Sequence, residues 1–595
     1  MKRLIMLGLL GLSTCKQELP PVEENPSTCP IPGNGLGSAP STARTPVEST
    51  ALTRRLLGPD EEGREPVLVR FRQHTGVQAA SAPLLRQALV ERMGGQVKYH
   101  WRGLSMLAAR LSPLAREALA HEPEILSIEP DHPVHALGLT SPHPSGSPGE
   151  YTEGVKRVQA PEVWDANGDG LLDPGAPTGE GLKVCVIDSG IDDRHPELRG
   201  PYLPGQGLGK DFIDGDDDPK DQDENGVWGG GHGTHVAGII AAQLGMGGWV
   251  DPTDSTLHPN GVVGVAPGVT LLVARVLDTQ GNGAMSDVIE ALGWCQQQGA
   301  RIASLSLGST QAGAADKDAF DAAWAAGMLS ISAMGNAGND DPDNPPPEVY
   351  PAAYASVLAV GAVDSEDQHP SFSQLGEHLS LVAPGVGVLS TTLVGDAFSE
   401  VEAEGELYSS RGLAYAGRGQ YTGTLLDCGQ AASASSCPET ACDGFVAFVE
   451  RGTLPFADKV RNVQAQGARA VIIANNDPAA AEGSFTLGNP GDWPPVVSVS
   501  QVTARALVGR LGRPVRVELK GSDYARRSGT SIAVPHVSAA AALLWSARPG
   551  LTRTQVRDFL ERSAKELGPP GRDPAFGFGL VQARAALELM AKELP

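Results

Sequence analysis

A chain of 595 residues, 41% hydrophobic and 19% charged, is ordinary globular material but too long for one hydrophobic core, so two or more domains are expected. The net charge of −24 excludes nucleic acid and anionic membrane surfaces as electrostatic partners. That excess is uneven. Residues 51–137 hold eleven Lys+Arg against ten Asp+Glu and residues 1–50 hold four of each, so nearly all the acidity falls from residue 138 on.

At the N-terminus Lys2 and Arg3 precede an apolar run over 4–12. It is too short to span a bilayer and placed as an export signal. Leu12-Ser13-Thr14-Cys15 resembles a bacterial lipoprotein signal, in which Cys15 is lipidated, although Thr14 stands where Gly or Ala is usual. The protein is therefore expected to be exported: a cell-envelope lipoprotein, or secreted if Cys15 stays unmodified. No later stretch has the roughly 20 uninterrupted apolar residues of a spanning helix. Residues 16–64 are rich in Pro, Ser, Thr and Gly without apolar periodicity, which reads as a disordered tether.

Order returns with a strand over 67–71, a helix over 84–93, strands over 96–101 and 104–111, a helix over 114–121 and a strand over 125–131. This is a small α+β unit, residues 65–137. The Pro-, Ser- and Gly-rich stretch 136–149 should be exposed and open to cleavage. In Asp165-Ala166-Asn167-Gly168-Asp169-Gly170-Leu171-Leu172-Asp173, oxygen-bearing side chains alternate ahead of glycine, a pattern that suits a calcium loop held by Asp165, Asn167, Asp169 and Asp173. Its twelfth position is Ala176, so Glu180 or water would complete the shell; the alternative is a solvated acidic turn. The acidic loop 214–224 is a second, weaker candidate.

From 151 to 391 apolar strands (183–187, 270–276, 303–307, 329–332, 357–360) alternate with helical stretches, the pattern of a parallel sheet covered on both faces. The first strand ends in Asp188-Ser189-Gly190, and Gly231-His232-Gly233-Thr234-His235 opens a small-residue helix. Near the C-terminus Ser528-Gly529-Thr530-Ser531 feeds an apolar helix, with Pro535 expected in its first turn. A serine hydroxyl is a poor nucleophile until a histidine takes its proton, and the histidine needs a carboxylate to fix its tautomer. Asp188, His232 and Ser531 supply these three types. Before Ser531 a stretch of more than a hundred residues shows a strand over 442–452, a helix over 456–468 and a strand over 470–474. Cys428, Cys437 and Cys442 cluster there, and one bridge among them is expected without its pairing being fixed. Cys185 and Cys295 read as buried thiols.

With these motifs the chain resembles the subtilisin-like serine peptidases. The resemblance implies an α/β, three-layer fold with a mostly parallel sheet over 150–595, a small α+β propeptide at 65–137 and a protease-associated domain inserted at 395–521. It implies that Asp188 orients, His232 acts as base and acid and Ser531 attacks, with His235 a structural neighbour. It gives Asn336, after Gly335, the oxyanion role, and makes 281–283 (Gly281, Asn282, Gly283) and 306–308 (Ser306, Leu307, Gly308) the edges that pair with an extended peptide. It implies protein or peptide substrates, the propeptide as intramolecular inhibitor, no catalytic cofactor and a monomer. The alternative class is a binding module that uses the insert to hold protein ligands.

Overall fold

The structure is a computed structural model and describes residues 57–594 apart from 74–77, 138, 141–149, 223–229, 247–260, 339–345, 409, 414, 439–443, 453, 477–484 and 489–490. Cys15 and the export signal lie outside the described residues, as do most of the tether and Cys442.

The first unit comprises β1 (Glu65–Phe71), α1 (Gln78–Arg92), β2 (Gln96–Trp101), β3 (Met106–Leu111), α2 (Pro113–Ala120) and β4 (Ile125–Pro130). Its antiparallel sheet has the order β2-β3-β1-β4. Successive strand side chains point to opposite faces. Val67, Val69 and Phe71 pack with Val90 and Leu119 of its own helices, while Leu68, Trp101, Met106 and Ala108 join a core shared with the next domain. The second face is therefore buried only when the unit is docked.

Two short strands follow, β5 (Pro133–Ala136) and β6 (Leu139–Thr140). Then come α3 (Glu153–Arg157), α4 (Pro161–Trp164), β7 (Lys183–Asp188), β8 (Gly209–Asp211), α5 (His232–Ala241), β9 (Thr270–Arg275), β10 (Asn282–Ala284) and α6 (Met285–Gln297). They are succeeded by β11 (Ile302–Leu305), β12 (Leu307–Gly308), α7 (Ala314–Ala325), β13 (Leu329–Ala333), β14 (Val357–Val363) and β15 (Leu379–Pro384). Seven strands form a parallel sheet in the order β15-β14-β13-β11-β7-β9-β8. Val184 and Val186 of β7 face Val236 and Ile240 of α5, and Cys185 and Ile187 face Val288 and Leu292 of α6. Both faces are covered, which explains the unbroken apolar runs.

The insert is carried on a ribbon of two long antiparallel strands, β16 (Val388–Ala403) and, after β17 (Glu406–Tyr408), β18 (Arg411–Gly412), β19 (Gly419–Asp427), β20 (Phe445–Glu450), α8 (Phe456–Gln464), β21 (Ala468–Ala474), β22 (Val496–Val499) and α9 (Gln501–Val508), the strand β23 (Pro514–Ser528). Ion pairs fasten the ribbon: Arg516 meets Glu402 of the facing strand at 2.9 Å and Glu518 of its own strand at 2.7 Å, and just beyond the strand ends Arg510 meets Glu404 at 2.6 Å. Directly after β23 come α10 (Thr530–Ala547), α11 (Arg553–Arg562) and α12 (Ala583–Glu593). Among the described residues α10 alone is long and apolar enough to cross a membrane, but 89% of it is buried in the protein, as the core helix behind the sheet.

Two expectations are corrected. Cys185 and Cys295 are not thiols but a disulfide, because Cys185 on β7 faces the inner side of α6 with Cα atoms 6.0 Å apart, within bridging range. Pro535 lies beyond the first turn of α10. Lacking an N–H, it leaves the carbonyl of Ser531, four residues back, without an intrahelical donor, and the Ser306 hydroxyl donates to that oxygen at 2.7 Å. In the insert, Cys428 pairs with Cys437. The acidic loop after β8 is tied to basic side chains: Asp214 to Arg275 at 2.7 Å, Asp217 to Lys210 at 2.9 Å and Asp218 to Lys220 at 2.7 Å.

Candidate active site

Asp188 ends β7, His232 opens α5 and Ser531 is the second residue of α10. In an open parallel sheet, functional groups collect at strand carboxyl ends and helix starts. His232 Nδ1 lies 2.8 Å from Asp188 Oδ1, and His232 Nε2 lies 3.1 Å from Ser531 Oγ. Such closeness needs small neighbours: a Cβ on Gly233 would meet the carbonyl oxygen of Gly190 at 2.2 Å. His235 stands apart, its Nε2 near the carbonyl oxygens of Val388 (3.1 Å) and Ala525 (3.0 Å), and burial pushes its pKa far down, so it is neutral.

Asn336 follows β13. Its side-chain oxygen accepts from the backbone N–H of Thr530 at 2.8 Å and the Thr530 hydroxyl at 2.9 Å. This turns the amide nitrogen toward the cleft, where it donates to the carbonyl oxygen of Leu137 at 2.5 Å. Gly529 has φ +144°, and a Cβ there would stand 2.5 Å from that same oxygen and 3.0 Å from both Asn336 Nδ2 and Ser531 Oγ. The bare backbone of Gly529 is what leaves room for a carbonyl between nucleophile and amide.

The cleft is filled by the chain itself. β5 is the middle strand of a three-stranded antiparallel sheet with β10 and β12, pairing His135 with Asn282, Val134 with Gly283 and Ala136 with Leu307. Ala136 N–H donates to the Gly281 carbonyl at 2.9 Å and Leu137 N–H to the Ser306 carbonyl at 3.1 Å. The structure thus brings Gly281, Asn282, Gly283, Ser306, Leu307 and Gly308 around residues 133–137. Beyond the Leu137 carbonyl, Leu139 and Thr140 pair with Ser528 and Arg527 of β23. Val349, which the sequence reading did not single out, is buried beside Gly308: a Cβ on Gly308 would meet Val349 Cγ1 at 2.4 Å and Leu137 Cδ1 at 3.1 Å.

The first unit docks on α6 and α7. Glu129 accepts from the N–H groups of Ala314 (2.9 Å) and Ala315 (3.2 Å), and Asp131 from that of Ser286 (3.0 Å), so two helix starts are capped from across the interface. Lys98 and Tyr99 reach the buried Asp287 at 2.7 and 2.8 Å, and Trp101 Nε1 donates to Glu290 at 2.6 Å. His132 Nε2 sits 3.4 Å from the buried Asp316.

The loop 165–173 is separate from this cleft. Asn167 Nδ2 bridges Asp169 and Asp173, 3.1 Å from each, while Asp165 accepts from the N–H groups of Asp169 and Gly170 and from the Tyr151 hydroxyl. Among the described residues no three His, Cys, Asp or Glu side chains converge as a metal cage. The Asn167 amide is what links the Asp169 and Asp173 carboxylates.

A serine held by a histidine that a buried aspartate orients, at the edge of a three-layer sheet and facing a carbonyl that an amide polarises, defines a serine peptidase. The subtilase family model matches residues 179–424 and 512–579, and the PA domain model residues 413–507. An alkaline protease of Alkalihalobacillus alcalophilus is 34% identical over 349 residues, 58% of this chain and 78% of that protein. Subtilisin E of Bacillus subtilis (strain 168) is 32% identical over 324 residues, 54% of this chain and 72% of that one. Fervidolysin from Fervidobacterium pennivorans superposes with a TM-score of 0.53 at 21% identity, over 90% of this chain and 62% of that one, a likeness of fold. The chain belongs to the subtilase family, as a serine endopeptidase with a PA domain inserted in it.

Proposed function

We propose that the protein is an exported endopeptidase made as a self-processing precursor, in which residues 65–137 inhibit until the bond on the carboxyl side of Leu137 is cut. The observation that carries this reading is the Leu137 carbonyl, held by Asn336 while its own N–H is paired to Ser306. In the reaction Ser531 Oγ adds to that carbonyl carbon as His232 Nε2 takes the hydroxyl proton, and Asp188 keeps the imidazole Nδ1–H in place. Negative charge grows on the oxygen faced by Asn336, with the free Ser531 N–H of the first helical turn as second donor. His232 then protonates the leaving amine, and water enters by the same route to release the acid. The paired edges supply affinity through main-chain bonds, so extended polypeptide is the substrate class. Sequencing the mature N-terminus is the test: Gly138 as first residue is expected, and a start at any other residue would overturn the assignment. A fluorophosphonate label separates enzyme from binding module, since the enzyme reading requires an adduct on Ser531. Export rests on the charged and apolar N-terminal run; a diacylglyceryl group on Cys15, sought by mass measurement, would make it an envelope lipoprotein.

Release of the inhibitory unit should depend on pH. Burial raises the pKa of Asp287 to about 6 against the pull of Lys98, and burial raises that of Asp131 too. Burial alone would lower His132, but Asp316 and Asp131 outweigh it and its pKa rises. Undocking returns each group toward its ordinary value, so all three bind protons more readily in the docked state. The histidine contribution is full below about pH 6.5 and fades above its raised pKa; the aspartate penalty is absent near pH 4 and complete above about pH 6. The signs agree. The cleaved unit should be retained at pH 5 and dissociate at least about tenfold more readily at pH 8, measured by gel filtration of freshly processed enzyme. Equal retention at both values removes the claim.

For calcium we propose that Asp165, Asn167, Asp169 and Asp173 hold the ion, the Asn167 amide turning its oxygen inward in place of the nitrogen that now bridges the carboxylates. A ligand bound only to the folded state stabilises it by mass action. Chelation should therefore lower the Tm, and Asp169→Ala should abolish most of the difference; superimposable melts with and without chelator would remove the site.

A further inference from the structure

We propose that Asp221 is a positioning residue for the reaction: its carboxylate clamps the loop carrying Asp188 to the turn carrying His232 and so fixes the imidazole between Asp188 and Ser531. The assignment rests on the triad reading above. Asp221 belongs to none of the catalytic motifs and sits in the acidic loop 214–224, yet it is fully buried. Its Oδ2 accepts from the backbone N–H of Gly231 at 2.6 Å and from the Ser189 hydroxyl at 3.2 Å. That hydroxyl accepts in turn from the N–H of Gly233 at 3.1 Å. The N–H of Ser189 donates at 2.7 Å to Asp188 Oδ1, the same oxygen that faces His232 Nδ1. One carboxylate thus grips Gly231 before His232 and Ser189 after Asp188, and through the Ser189 hydroxyl it reaches Gly233 on the other side of His232.

The backbone is shaped to bring it there. Ile191 N–H donates to the Pro219 carbonyl at 2.9 Å. Gly190 has φ +108°, and a Cβ on it would stand 2.4 Å from the Pro219 oxygen and 2.9 Å from the Asp221 nitrogen. Any side chain at 190 would push the clamp away from the loop it holds.

The charge on Asp221 matters as well. Burial raises its pKa to about 6. Against burial stand the guanidinium of Arg275, itself gripped by Asp211 at 2.6 Å and Asp214 at 2.7 Å, and Arg411, which reaches this charge from the inserted domain. A carboxylate that must be ionised to hold Gly231 N–H tightly adds a proton of its own to the acidic side of the activity profile.

The test is Asp221→Asn in the full chain, processed with a trace of wild-type enzyme and normalised by active-site titration. The expected result is a fall in kcat of at least tenfold with KM within twofold of wild type. The acidic limb of log kcat/KM should lose its steepness, from a slope approaching two to a slope of one, because the amide no longer takes up a proton. A purely structural role would leave that slope unchanged. An unchanged slope, or a kcat per active site within twofold of wild type, overturns the proposal. Where Asp221→Asn fails to fold, Ser189→Ala removes only the bridging hydroxyl: a threefold or greater loss of kcat at constant KM supports the clamp, and an unchanged kcat overturns it. Ser531→Ala run alongside should be inactive in either case, so failure of the triad and failure of the clamp read differently.

Discussion

Ser531→Ala is expected to lower kcat by roughly 10⁶-fold, a magnitude that comes from subtilisin itself and is borrowed for this relative. The same change should leave the precursor uncut, with residues 65–137 still attached. The reason is geometric. Ser531 Oγ lies 3.1 Å from His232 Nε2, and Leu137 presents its carbonyl in the same cleft. Alanine is smaller than serine and so fits the fully buried position at the start of α10, and what it removes is the hydroxyl that meets His232. Stability should therefore hold while processing stops. Mass measurement of the variant from a host free of other proteases reads the result. A variant that still loses its first 137 residues there would show that the cut is not made by Ser531.

How far the sequence could be read depended on the range of the interaction. Asp188, His232 and Ser531 sit in short motifs whose glycines and strand-end placement are local, and these were legible. The small unit was legible as well, since each of its strands and helices carries its own apolar period. The ribbon of β16 and β23 was not: its residues are largely polar, and its pairing of Val388 with Arg527 joins segments far apart in the chain. The same holds for Cys185 and Cys295, separated by 110 residues, where burial was readable and facing was not. Occupation of the cleft by β5 follows from a strand of four residues whose partners are also short, too brief for any periodic signal. Asp221 is the plainest case. In the sequence it is one acid among several in an acidic loop, and only the fold shows that it turns inward to Gly231 and Ser189 while Asp217 and Asp218 turn outward to lysines.

Asn336→Ala should produce a folded enzyme that binds well and turns over slowly. The Asn336 amide donates to the Leu137 carbonyl oxygen at 2.5 Å, and an oxygen so placed becomes fully charged only after Ser531 adds to its carbon. An interaction that strengthens as charge develops lowers kcat when it is lost and leaves KM nearly unchanged. Loss of one such donor costs about 2.7–4 kcal/mol, or roughly 10²–10³ in kcat, again a figure drawn from subtilisin. The competing account makes Asn336 a structural clasp, since its oxygen also holds the N–H and hydroxyl of Thr530 at 2.8 and 2.9 Å. On that account alanine would lower the unfolding midpoint and leave kcat per active site close to wild type. The two outcomes separate on one purified preparation, by measuring kcat, KM and the unfolding midpoint together after titrating active sites. The proposed cut after Leu137 offers an internal check, because it would use the same oxyanion donors on a segment already seated in the cleft. Its rate should fall by the same factor as kcat on an added peptide. A tenfold rise in KM at constant kcat would place Asn336 in ground-state binding and end the oxyanion assignment.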